Sequence, residues 1–462
     1  MESNIYSKLF DWQKKIVDKF KEKKSFGLFL DMGLGKTPVS LGFAEQNQCE
    51  KVIVVTLNAK VYETINTPGS WYFWSSSSSM NWKQFMKAQD SDKYDAKNSI
   101  LVTNYESLFE RGAKKLATVT LKQYLLDYIK SCKEKKVALI IDESQKVKAQ
   151  RSQQSLAIAL LKKLLEKAAS EFHLYLLSGT PFTTGYIDLY NQLKLLGFGW
   201  TKAQFTNEFC IYGNIYGLAL WQQPIVGYKN VGELFALLHQ YALTIKSKEI
   251  IDLPSQIFVK HVLPCSSEFN LYTKDKIQGF DINAELAFRK QLTIPSYETK
   301  KKQNNPFYRN IAYPDLKWFA DTAGGFWLRA RQLSIGFQGN ATDALWFDKA
   351  RLQAIKKFLN DNKDNYVIFC NFTPELVELY QACSELGYNI DIYSGDIKSL
   401  SNYEAYSANL EKGIVKEGSN VIIANFASGA AGMNWQNYSH CIISSLPLYK
   451  DYAQALKRIH RI

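Results

Sequence analysis

The sequence predicts an α/β protein of two lobes, each a parallel sheet flanked by helices, joined by a mainly helical insertion. Three observations predict it. Short apolar or β-branched runs recur in two ladders, helix-length segments separate them, and the stretch between the ladders loses this alternation. Apolar runs without in–out alternation are strands buried on both faces, the pattern of a parallel sheet covered by helices.

The first ladder comprises Ser25–Leu30, Lys51–Thr56, Ser99–Thr103, Val137–Ile141 and His173–Leu177, within a first lobe spanning 1–195. The second comprises Tyr366–Cys370, Asn389–Tyr393, Asn420–Ala424 and Cys441–Ser444, with helices expected at Lys349–Leu359 and Pro374–Leu386, in a second lobe spanning 345–462. Residues 196–344 are aromatic-rich and carry Lys300-Lys301-Lys302. Their one strand-like run, Gln256–Val262, is expected to return to the first lobe. The five serines from Ser75 to Ser79 read as a mobile loop.

Composition narrows the class. A chain of 462 residues exceeds one small core, and 46% hydrophobic with 22% charged residues is a globular balance rather than a disordered one. Seven scattered cysteines without a Cys-x-x-Cys pair argue against a disulfide framework or structural zinc. No apolar run approaches ~20 residues and no export signal is visible, so a cytoplasmic protein without a membrane span is expected. The net charge of +13 suits a polyanionic partner, although a solvated lysine surface would read the same way.

Four segments carry chemistry. The first is the turn Asp31–Thr37 after the apolar Leu28–Leu30. Gly33 and Gly35 let backbone N–H groups turn toward a phosphate, and the following helix adds its positive end. Lys36 suits β/γ-phosphates, and the Thr37 hydroxyl suits Mg²⁺. Leu30 stands where the usual pattern has its first glycine. The second segment is Asp142-Glu143 at a strand end, where paired carboxylates need a cation or proton to offset them. Asp142 would hold Mg²⁺, and Glu143 would orient and deprotonate the attacking water. The third is Ser178-Gly179-Thr180-Pro181, whose hydroxyls can bond the Asp142–Gln145 turn; Thr180 and Pro181 could equally cap and open a helix. In the fourth, Gln454, Arg458 and Arg461 share one helix face, the spacing of a paired arginine finger or of a basic solvated face. Where measured, such fingers are worth ~10³–10⁵ in rate.

In this order, the segments resemble a superfamily-two helicase, most nearly the Swi/Snf branch of DNA translocases. The resemblance runs over nearly the whole chain. Phe10–Gln13 is similar to the adenine-reading glutamine motif, Val102–Leu108 to the first lobe's DNA-contacting segment, and Ser178–Pro181 with Asp188–Tyr190 to the third motif. Ile368–Phe372 resembles the second lobe's opening strand, Ala427–Trp435 the fifth motif and Gln454–Ile462 the sixth. The resemblance implies two RecA-like lobes with ATP and Mg²⁺ as cofactors and double-stranded DNA as partner. Gln13 would read adenine; Gly33, Gly35, Lys36, Thr37 and Asp142 would bind the nucleotide and its metal. Glu143, Arg458 and Arg461 would be catalytic. Thr103 and Tyr105 would lie near the DNA backbone, while Gln145, Ser178, Thr180, Ser428, Gly429 and Asn434 would serve nucleic-acid contact and coupling. Gln145 and Ala149 depart from the branch's usual histidine and asparagine, and the chain stops at Ile462, where the sixth motif usually continues. The implied activity is DNA-stimulated ATP hydrolysis driving movement along duplex DNA. The alternatives are a helicase that separates DNA or RNA strands, and an ATP-dependent clamp on nucleic acid with little turnover. Lysine-, asparagine- and tyrosine-rich usage fits a low-GC bacterium or its virus.

Overall fold

The apolar runs form two parallel sheets, one in each of two compact units that divide at Pro254. The structure, a computed structural model, describes residues 4–61, 63, 65–67, 69–85, 96–110, 119–213, 223–250, 256–264, 269–270, 323–339, 344–395, 397–412, 419–426, 435, 437–447, 451–452, 455–456 and 459.

In the first unit the strands are β1 (Ser25–Leu30), β2 (Lys51–Thr56), β3 (Lys83–Phe85), β4 (Ser99–Asn104), β5 (Lys136–Asp142), β6 (Glu171–Leu177), β7 (Cys210–Tyr212), β8 (Ile225–Tyr228) and β9 (Ala242–Ile245). Seven make one sheet in the order β3-β4-β2-β5-β6-β1-β9, with every neighbouring pair parallel. The other two, β7 and β8, pair as an antiparallel ribbon. The helices are α1 (Asp11–Phe20), α2 (Lys36–Gln46), α3 (Asn58–Val61), α4 (Trp71–Ser75), α5 (Gln123–Ser131), α6 (Gln153–Ala168), α7 (Leu189–Leu195), α8 (Lys202–Phe209) and α9 (Val231–Tyr241).

Successive side chains of a strand point to opposite faces, and the central strands here serve a core on each. From β5, Val137, Leu139 and Ile141 enter one core, while Ala138 and Ile140 enter the other. From β2, Ile53 and Val55 divide in the same way from Val52 and Val54. Full burial on both faces is why these runs read as continuously apolar. Gly27 in β1 is a contact requirement, since a Cβ there would lie 2.7 Å from the Cβ of Ala242 on β9.

The second unit repeats the plan on a smaller scale. Its elements are α10 (Ala323–Ile335), β10 (Phe337–Gln338), β11 (Leu345–Trp346), α11 (Ala350–Asp361), β12 (Tyr366–Cys370), α12 (Thr373–Glu385), β13 (Asn389–Tyr393), α13 (Ser401–Glu411), β14 (Asn420–Asn425) and β15 (His440–Ile443). The sheet order is β13-β14-β12-β15, all parallel. On β12, Tyr366, Ile368 and Cys370 face one core, and Val367 and Phe369 the other. Both units are thus α/β lobes of the RecA-like kind.

Three local expectations come out differently. The Gln256–Val262 run forms no strand, and Ile257 is 87% exposed. The strand beside β1 is instead β9. The serine run is packed rather than loose: the Glu45 carboxylate accepts hydrogen bonds from the Ser78 hydroxyl and from the Ser79 N–H and hydroxyl. Thr180 caps no helix, because the next helical turn begins at Tyr186.

Candidate functional site

The C-terminal ends of β1, β2, β4, β5 and β6 lie along one edge of the first sheet, the edge where open parallel sheets bind ligands. β1 ends at Leu30 and the chain turns through Asp31–Gly35 into α2. Gly33 and Gly35 adopt φ of +85° and +71°, conformations glycine takes without steric cost. A Cβ on Gly35 would also come within 2.4 Å of the Gln13 amide nitrogen. Lys36 and Thr37 occupy the first turn of α2, and Pro38 follows where a missing N–H costs nothing. The Lys36 ammonium donates to the carbonyls of Leu30 (2.9 Å) and Asp31 (3.1 Å). Two braces hold this loop. The Asp31 carboxylate accepts the Ser247 N–H (3.0 Å) just past β9. Gln13, 4% exposed, accepts the Phe10 N–H and donates to the Leu34 carbonyl. Both ends of the amide expected to read adenine are therefore engaged, the oxygen capping α1 and the nitrogen tying that helix to the loop.

β5 ends in the acidic pair. Asp142 is 2% exposed; its Oδ2 accepts the Thr56 hydroxyl (2.8 Å) and the Lys60 ammonium (2.9 Å). Burial opposes its ionisation, but Lys60 and the Thr56 bond outweigh burial and hold the carboxyl below the usual range. Lys60, on α3, is likewise opposed by burial, and the charges of Asp142 and Glu143 keep its pKa above the ordinary lysine value. Nearby Glu63 is pushed up to about 7, chiefly by burial. Lys36 also acts electrostatically on Asp142, so loop and acidic turn are neighbours.

Glu143 sits at φ +55°, ψ +51°, a left-handed conformation that is strained for a residue with a Cβ. A chain of side chains fixes its carboxylate. The Ser178 hydroxyl donates to Gln145 Oε1 (2.7 Å), and Gln145 Nε2 donates to Glu143 Oε2 (2.7 Å). Ser178 Oγ also accepts the Thr180 N–H (3.0 Å), whereas the buried Thr180 hydroxyl has no hydrogen-bond partner among the described residues. The Ser178–Thr180 turn abuts the phosphate loop, for a Cβ on Gly179 would lie 3.1 Å from Met32 Cγ and 3.6 Å from Lys36 Nζ.

Thr103 and Tyr105, expected near a DNA backbone, are both buried. Thr103 shares a hydrogen bond with Tyr124 (2.8 Å). Tyr105 donates to the backbone carbonyls of Asp142 (2.6 Å) and Glu143 (3.3 Å), propping the strained turn from below. Burial and the neighbouring carboxylates raise its phenol pKa well above normal, so it stays a donor. At the end of β4, Asn104 donates to Asn58 on α3 (2.6 Å). Ser428, Gly429, Asn434, Arg458 and Arg461 lie outside the described residues.

Sequence reasoning missed Thr56, Lys60, Glu63 and Ser247. The one signal for the first three was their position at or after the end of one strand of the first ladder, Lys51–Thr56. Among the described residues, no cluster of three or more histidine, cysteine or acidic side chains could hold a metal by itself. One buried carboxylate and one threonine hydroxyl beside a phosphate loop fit Mg²⁺ arriving with a nucleotide, since that ion keeps waters and takes phosphate oxygens.

Residues 6–183 match the family model described as the type III restriction enzyme, res subunit. Among solved structures, similarity extends to the Sulfolobus solfataricus SWI2/SNF2 ATPase core in complex with dsDNA: 17% identity, 100% of this chain and 86% of that one, TM-score 0.39. It extends also to the Pyrococcus furiosus Hef helicase domain: 11% identity, 98% and 94% coverage, TM-score 0.46. No curated protein matches. The matched stretch, residues 6–183, carries the phosphate loop, the acidic turn and the Ser178 turn, and is similar to the res subunit of type III restriction enzymes.

Proposed function

We propose that this protein hydrolyses ATP in a reaction stimulated by duplex DNA, and that hydrolysis drives its movement along the duplex. One juxtaposition carries the reading. At a single sheet edge a lysine-bearing phosphate loop adjoins an acidic pair whose second member is tied through Gln145 to Ser178. The Swi/Snf-like motif order and the charge of +13 support the choice of DNA.

In this reading Lys36 leaves the Leu30 and Asp31 carbonyls for the β/γ-phosphates. Thr37 and Asp142 hold Mg²⁺, which when bound neutralises phosphate charge. Glu143, held by Gln145, accepts the proton of the attacking water. Tyr105 keeps the acidic turn in place and Thr103 holds Tyr124, while Ser178 and Thr180 relay nucleic-acid binding to the turn. Gln13 reads adenine by exchanging its Leu34 bond for the base. Arg458 and Arg461 act as fingers, and Ser428, Gly429 and Asn434 contact DNA or nucleotide.

The test is phosphate release with no nucleic acid, single-stranded DNA, duplex DNA and RNA. Duplex DNA should give the strongest stimulation, and K36A or E143Q should abolish it. A wild-type rate indifferent to duplex DNA would refute the proposal.

A further inference from the structure

Lys60 has no place in the functions assigned above, yet its ammonium occupies the most guarded position at the site. It lies 2.9 Å from Asp142 Oδ2, with the lysine side chain 19% exposed and the carboxylate 3% exposed. The Thr56 hydroxyl takes a second lone pair of the same oxygen at 2.8 Å, and the Glu143 N–H holds the other oxygen at 3.1 Å. Three carboxylates, those of Asp142, Glu143 and Glu63, act on this one ammonium. Without it Asp142 would lose the one ammonium hydrogen-bonded to its carboxylate among the described residues and keep only the electrostatic influence of Lys36, which is costly for a buried charge.

We infer that Lys60 is a resident counter-ion of Asp142, which neutralises the carboxylate before nucleotide arrives and withdraws when a nucleotide-bound metal takes the same oxygen. A divalent cation and an ammonium cannot both sit against Oδ2, because like charges at that range repel strongly in a largely buried setting. The exchange makes metal binding competitive with an internal lysine, so the site favours metal delivered on a nucleotide over the free ion. This inference rests on the nucleotide-binding role proposed for the loop and the acidic turn.

The experiment measures binding of a fluorescent ADP analogue to the full chain across a Mg²⁺ titration, for wild type, K60Q and K36A. It also measures reductive methylation of Lys60 by mass spectrometry in the wild type, with ADP plus Mg²⁺ and with ADP plus EDTA. K60Q removes the charge and keeps a hydrogen-bond donor. Its Mg²⁺ half-saturation should fall roughly tenfold below wild type, the scale of one charge-assisted hydrogen bond no longer broken on binding. In the wild type, Lys60 should be protected with EDTA and methylated several-fold faster with Mg²⁺, a readout that needs no variant to fold. Unchanged or raised half-saturation in K60Q, or equal methylation in both conditions, overturns the inference while Lys36-dependent binding leaves the underlying reading standing. If wild type fails to bind, or K36A binds equally well, the underlying reading fails and this inference falls with it.

Discussion

The chain from Ser178 through Gln145 to Glu143 makes a quantitative prediction. Q145A strips the Glu143 carboxylate of a donor at 2.7 Å. Hydrogen bonds to charged groups contribute ~1.5–3 kcal/mol. Gln145 is half-buried, so water recovers part of the loss and the lower end applies. At ~1.36 kcal/mol per tenfold, kcat should fall about tenfold. S178A removes a neutral hydroxyl–amide bond, also 2.7 Å long, worth ~0.5–1.5 kcal/mol or about two- to tenfold. If Ser178 acts on Glu143 only through Gln145, the double variant should be no slower than Q145A, giving a coupling of about 1 kcal/mol in a double-mutant cycle. Q145E should be worse than Q145A, because a second carboxylate would face the first. The assay is kcat for phosphate release with saturating duplex DNA and Mg²⁺–ATP, on variants whose melting matches wild type. Losses that multiply in the double variant would refute the relay.

Other positions give independent checks. E143G and E143A both remove the base, but only alanine keeps a Cβ at φ +55°; E143G should be the more stable by about 1 kcal/mol, roughly 2–4 °C in Tm, with hydrolysis lost in both. G179A places a methyl 3.1 Å from Met32 and 3.6 Å from Lys36, and should weaken nucleotide binding about fivefold, near 1 kcal/mol; an unchanged Kd would show that the turn does not bear on the loop. In the second unit Glu375 is fully buried, held by the Ser444 and Ser445 hydroxyls and the Asn371 N–H. Burial raises its pKa above the ordinary value despite those bonds. The folded state then binds this proton more tightly than the unfolded chain, so its stabilisation is fully present below about pH 4.3 and is lost as pH rises through the folded value. Urea unfolding should show wild type losing stability relative to E375Q across that window, and parallel pH profiles would refute it.

How far the fold was legible depended on how fully each strand is covered. Runs such as Lys51–Thr56 and Tyr366–Cys370 match observed strands residue for residue, because every position is buried and, Lys51 apart, each is apolar, aromatic or β-branched. The edge strand Ala242–Ile245 was missed. It has four residues, one neighbour in the sheet and only one fully buried position, so its burial leaves little pattern. The Gln256–Val262 run misled for the converse reason: a short apolar, β-branched run describes a strand only where a sheet exists to cover it. The serine run misled because composition reports on flexibility only when polar groups lack partners, and Glu45, more than thirty residues earlier, supplies them.

At the site, the groups that meet phosphate or metal were legible because backbone geometry fixes their type and spacing, as with Gly35, Lys36 and Thr37. Partners joined only by folding were not: Lys60 meets Asp142 across 82 positions, and no spacing rule links them. Gln145 stands between these cases. In the sequence it is a departure from the histidine usual in the branch that the chain resembles. In the structure its orientation follows from its neighbours. A carboxylate can only accept, so the amide nitrogen must face Glu143 and the amide oxygen is left for the Ser178 hydroxyl. A histidine there could pass the same two bonds only in one tautomer and would gain charge near neutral pH. Glutamine carries donor and acceptor on one group that never titrates. The link from Ser178 to Glu143 therefore needs no change of protonation on the residue that joins them.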